Sequence, residues 1–106
     1  MIGEFRTDLE PLVIRAEAEI LRIVRVVVPE AKLNRIGPID LDGPSWSCWI
    51  ITPTDAERDR IKDEEGLLTS LWRAASDAGF APDGFTFQSQ ETVDRDYGGS
   101  WFFAMR

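Results

Sequence analysis

Between positions 8 and 27 the apolar residues Leu9, Leu12, Val13, Ala16, Ile20, Ile23, Val24 and Val27 recur every three or four places. This stripe limits what the chain can fold into more than any other feature. The spacing is that of one buried face on an amphipathic helix, about five turns long. Asp8 can cap its first N–H groups, Pro11 is compatible with its first turn, and Pro29 ends it. A helix with so broad an apolar face needs a second layer to lie against.

The segments that follow supply that layer. Residues 33–41 predict a strand interrupted at Gly37-Pro38, hence an edge strand or one with a bulge. Asp42-Gly43-Pro44 is turn chemistry, and residues 46–52, aromatic and β-branched, predict a strand that Pro53 stops. Thr54-Asp55-Ala56-Glu57 is a capping box. The charged helix it opens keeps an apolar stripe at Ile61, Leu68, Leu71, Trp72, Ala75 and Ala78, up to Gly79. Gly66 inside this stretch costs about 1 kcal/mol relative to alanine and predicts a kink or two shorter helices. Residues 85–90 alternate Phe85 and Phe87 with Thr86 and Gln88, a half-buried strand. Residues 91–99, rich in Asp and Gly, predict a loop, and 100–105 a closing strand.

An offset of 55 residues superposes Gly43-Pro44-Ser45-Trp46 on Gly98-Gly99-Ser100-Trp101. It also carries Leu12, Val13, Ala16, Ile20 and Ile23 onto Leu67, Leu68, Leu71, Ala75 and Ala78. A duplicated helix–strand–strand unit would give this pattern, as would chance alignment of two amphipathic helices. The expected fold is α+β: residues 1–106 form one two-layer domain in the order α-β-β-α-β-β. Its two helices pack on one face of a four-stranded, mainly antiparallel sheet. If Trp46 and Trp101 face the helices, so do Cys48, Ile50, Phe103 and Met105, because strand side chains alternate. The other face then receives Ser47, Trp49, Ile51, Phe102 and Ala104, too apolar a set for a solvated surface. Trp49, Ile51 and Phe102 are therefore the expected partner-binding residues, unless the C-terminus or the Gly37-Pro38 loop covers them or the two faces are reversed.

Composition narrows the function. Across 106 residues, 43% hydrophobic and 29% charged content fits a folded domain rather than a disordered one. The run Val26, Val27 and Val28 is far too short for a membrane helix, and residues 1–6 hold no apolar signal core, so a cytoplasmic setting is expected. Cys48 is the single cysteine and histidine is absent, which excludes an internal disulfide, a classical zinc site and every imidazole mechanism. A net charge of −7 opposes broad binding to nucleic acid or anionic membranes.

Glu91, Asp94 and Asp96 have the oxygen chemistry for a divalent cation or an acid–base pair, or they are the polar surface of a hairpin loop. Gly98-Gly99 precedes an expected strand, so it lacks the helix N-terminus of a phosphate cradle. Cys48, among aromatics in the sheet, is expected to be core rather than nucleophile. The charged stretch 55–65, with pairs such as Asp55–Arg58, is expected to be a solvated helix face. No catalytic residue, metal site or cofactor is assigned.

The leading expectation is a non-enzymatic module of the bacterial cytoplasmic kind, homodimeric or protein-binding through its apolar sheet face. An adaptor would fit, as would an inhibitor of a basic protein in the manner of an immunity protein or antitoxin; small size and acidity carry that expectation. The rival is a small-ligand domain or enzyme with a pocket near 91–99. Its polar groups would be Asp94, Arg95, Asp96 and Tyr97, and its aromatic wall Trp49 and Phe102.

Overall fold

The computed structural model describes residues 4–40 and 43–104. Its elements run β1 (Glu4–Phe5), α1 (Glu10–Val27), β2 (Lys32–Asp40), β3 (Pro44–Thr52), α2 (Asp55–Asp63), α3 (Leu67–Asp77), β4 (Phe85–Ser89), α4 (Gln90–Tyr97) and α5 (Trp101–Ala104). The class is α+β, but the expected two helices on a four-stranded, mainly antiparallel sheet are replaced, among the described residues, by five helices and a mixed sheet. Three long strands make that sheet, and the two-residue β1 extends its edge in the order β1-β2-β3-β4.

The first half follows the sequence closely. The stripe of α1 buries Val13, Ala16, Ile20 and Val24. Its N-cap is Leu9 rather than Asp8, whose carboxylate is taken by Arg6 at 2.9 Å. β2 and β3 pair antiparallel, with a bulge between Ile36 and Ile39. Gly37 is required there: its φ is 101°, and an added Cβ would lie 2.7 Å from the Ser45 carbonyl oxygen.

The second half departs from the expectation because of its connections. α2 and α3, broken at Gly66, carry the chain back along the sheet, so β4 enters parallel to β3. A helical crossover has this result, whereas an antiparallel partner needs only a tight turn. The 91–99 segment is not a loop. Ser89 caps α4 by accepting from the Thr92 N–H at 3.0 Å, and Gly98, at φ 59°, terminates it in the left-handed conformation. Residues 101–104 are helix α5, not strand, so Trp101, Phe102, Phe103 and Ala104 lie on neither sheet face. The duplication fails for the same reason: Trp46 is a buried strand residue, its counterpart Trp101 a half-buried helical one. Val13 is fully buried while its counterpart Leu68 is 49% exposed. Leu41, Asp42 and Met105, expected in strand, turn and closing strand, lie outside the described residues.

The register defines two faces. Leu33, Trp46, Cys48, Ile50, Phe85 and Phe87 join the core formed with α1, α3 and Ile61 of α2. Trp46 donates its indole N–H to the Phe80 carbonyl at 3.0 Å, and Trp72 meets Phe85 edge-to-face at 4.8 Å. Arg35, also on this face, pairs with Glu10 and Glu17 of α1 at 2.9 and 3.2 Å. Its Nη1 is buried without a hydrogen-bond partner, and burial raises the Glu17 carboxyl above its ordinary value.

Candidate functional site

Lys32, Asn34 and Ile36 of β2, Ser47, Trp49 and Ile51 of β3, and Thr86 and Gln88 of β4 share the opposite face through cross-strand pairing. Lys32, Asn34, Ile36 and Thr86 are exposed, and Ser47, Trp49 and Gln88 half-buried, so most of this face is open to solvent. Trp49 lies on the central strand between Asn34 and Thr86. Ile51, near the strand end, is buried. It lines a pocket of about 220 Å³ with Glu30, Lys32, Thr52, Pro53 and Gln90.

That pocket joins the sheet face to the C-terminal helices. Gln90 accepts a bond from the Trp101 indole N–H at 2.9 Å and donates to Asp94 at 2.9 Å. Beyond Trp101, Phe102 and Phe103 are 68% and 55% exposed and meet edge-to-face at 5.4 Å. Tyr97 is 39% exposed. Of the expected set, Trp49 and Ile51 share a face, whereas Phe102 belongs to the aromatic end beside it. The pocket is lined by none of Trp49, Asp94, Arg95, Asp96, Tyr97 or Phe102.

What fixes α4 is a polar cluster that sequence reasoning missed. The N-termini of α2 and α4 meet at the carboxyl ends of the parallel strands β3 and β4. Asp55, first residue of α2, accepts hydrogen bonds from the Ser89 and Thr92 hydroxyls, and Arg95 donates to its other oxygen at 2.9 Å. In return the Asp55 N–H donates to Glu91 of α4 at 3.2 Å. Arg58 donates to the Thr92 hydroxyl at 2.9 Å and stands 3.5 Å from Asp55. The bonds from Ser89, Thr92 and Arg95 hold the Asp55 carboxyl well below the usual carboxylate range. A carboxylate so firmly ionised is a poor general base. It suits a clamp instead.

The three acids once open to a metal are spread round α4, and each is directed elsewhere: Glu91 to α2, Asp94 to Gln90, Asp96 to Arg95. No group of three or more metal-ligating side chains occurs among the described residues. The Asp55–Arg58 spacing was visible, but as a solvated pair on one helix; the partners from α4 lie more than 30 residues away. The local signal for α4 was Ser89 as cap and Gly98 as terminator. Cys48 is fully buried, and burial pushes its thiol up to about 12. No described helix is long and apolar enough to cross a membrane. Comparison with known families, characterised proteins and solved structures finds no match.

Proposed function

We propose that this chain is a non-enzymatic binding module that docks a basic protein on the open face of its sheet. The observation that carries the reading is Trp49, half-buried at the centre of a face that the helices leave uncovered. A rigid aromatic on a flat, partly apolar surface is the residue type that dominates binding energy at protein interfaces. The charge of the molecule selects the partner. From Asp55 onward there are eleven acids against six bases, and Glu30 borders the pocket beside Ile51. An arginine of the partner would stack on the Trp49 ring while the net charge of −7 on the chain steers its approach.

The role is that of an adaptor, or of an inhibitor held against a basic partner in the manner of an immunity protein, in a cytoplasmic setting. Affinity capture from the producing cells tests it, with the parent chain and Trp49→Asp compared at equal folded content. The parent should retain a basic protein in a salt-sensitive manner, and Trp49→Asp should lose it. Identical captures by both, or retention of acidic partners only, would overturn the reading.

A further inference from the structure

A second association surface, independent of the sheet face, follows from the direction of the backbone bonds. The Cys48 N–H donates to the Gly84 carbonyl at 3.2 Å, and the Trp46 carbonyl accepts from Asp83 at 2.7 Å. The backbone groups of Trp46 and Cys48 therefore point toward β4, and those of the alternate residues Ser47, Trp49 and Ile51 toward β2. Their partners there are Ile36, Asn34 and Lys32. On β2 the N–H and C=O groups of the intervening Leu33 and Arg35 must then face the opposite edge. Among the described residues β1 covers that edge only at Ile39 and Asp40, with one further bond from the Arg6 N–H to the Pro38 carbonyl at 2.9 Å. The chain then leaves for α1. A cavity of about 510 Å³ remains beside the strand, between Arg6, Thr7 and Glu10 on one side and Arg35, Ile36 and Gly37 on the other.

We infer that this edge receives the same edge of a second copy of the chain. Antiparallel pairing about a two-fold axis at Asn34 sets Leu33 opposite Arg35 of the second copy, and Arg35 opposite its Leu33. Both are pairs whose backbone groups face the seam, so each exchanges two N–H···O=C bonds. Asn34 meets Asn34 and Lys32 meets Ile36, with no like charges opposed. Shifting the axis to Arg35 would oppose two arginines. Shifting it to Leu33 would carry the second pair past the start of β2 at Lys32. The bulge after Ile36 and the short β1 bound the open stretch, so a single register satisfies it. The two open faces, each with its Trp49, then lie side by side on one continuous sheet.

Sedimentation velocity on the whole chain, together with amide hydrogen exchange, tests this. The mass should double with rising concentration, and the Leu33 and Arg35 amides should slow by about tenfold or more as it does. Leu33→Pro removes an N–H that makes no bond within the sheet, and Leu33→Ala only the side chain that packs on the core, so at equal folded content the first should be monomeric and the second dimeric. Asn34→Lys, on the exposed face, places like charges across the axis and should also give a monomer. Trp49→Asp should still dimerise, which separates this surface from the partner face. A parent chain monomeric up to about 1 mM would overturn the inference. So would a dimer whose Leu33 and Arg35 amides exchange unchanged, or dimerisation that survives Asn34→Lys. Protection of those amides in a monomer bound to an unrelated peptide would assign the edge to a different occupant.

Discussion

Two ionisable side chains carry their environment as a measurable property. Cys48 is fully buried, and its thiol is pushed up to about 12 chiefly by desolvation. The reactive thiolate is thus suppressed at neutral pH, and a maleimide reagent at pH 8 should leave the native protein unmodified while labelling it in denaturant. Rapid native labelling would contradict the burial. Cys48→Ala should cost about 1 kcal/mol or somewhat more in stability, through the small cavity it leaves. Asp55 is shifted the other way, by hydroxyl and guanidinium bonds that favour its ionised form. A carboxyl depressed in the folded state contributes stability above its unfolded value, about 4, and loses it as pH falls toward the native value. Asp55→Asn should therefore be less stable than the parent at pH 7, with the gap closing in acid. Parallel curves of stability against pH for the two proteins would refute the clamp.

Helices α2 and α4 are short, and their N-termini bear on each other. Thr54 caps α2 by accepting from the Glu57 N–H at 3.2 Å, and it donates its hydroxyl to the Glu57 carboxylate at 2.8 Å. Ser89 accepts from the Thr92 N–H while its hydroxyl is given to Asp55. Thr54→Ala should cost about 1 kcal/mol, the usual value of a lost cap. Ser89→Ala should cost more, because one deletion removes both the cap of α4 and a bond to α2. The two effects differ in coupling as well. Ser89→Ala and Asp55→Asn should fall short of additivity in a double-mutant cycle, since they break the same bond. Thr54→Ala and Ser89→Ala should sum. Urea titrations of the three single and two double variants measure both.

For the molecule as a whole, the two faces of β3 predict opposite outcomes for chemically identical changes. Trp46 is buried with its indole N–H bound to the Phe80 carbonyl, so Trp46→Asp puts an unpaired charge in the core and should unfold the protein. Trp49 has solvent on its side of the sheet. Trp49→Asp should stay folded by circular dichroism and lose binding to the proposed basic partner. The reverse pattern would mean that the interaction surface is misplaced. Each large side chain covered at that surface contributes roughly 1.5–3 kcal/mol, offset by the lost rigid-body freedom of two proteins.

The sequence by itself determined what depends on near neighbours. The stripe of α1, the cap at Thr54, the break at Gly66 and the alternation of Trp46, Cys48 and Ile50 with Trp49 are local patterns, and local physics reads them correctly. The 91–99 segment shows where that stops. Its single buried apolar residue inside α4 is Val93, too little for a visible stripe, and Asp and Gly suit turns as well as helix ends. Only the meeting with α2 distinguishes the two, because Asp55, Ser89, Thr92 and Arg95 satisfy one another's hydrogen bonds at that contact. The parallel entry of β4 was likewise decided by the crossover through α2 and α3. With β4 so placed, the chain after Ser89 turns at the strand's carboxyl end into α4, where Asp55 anchors it, rather than returning as an antiparallel strand. Pairing between residues more than 30 positions apart is a property of the assembled fold, and no window of sequence contains it.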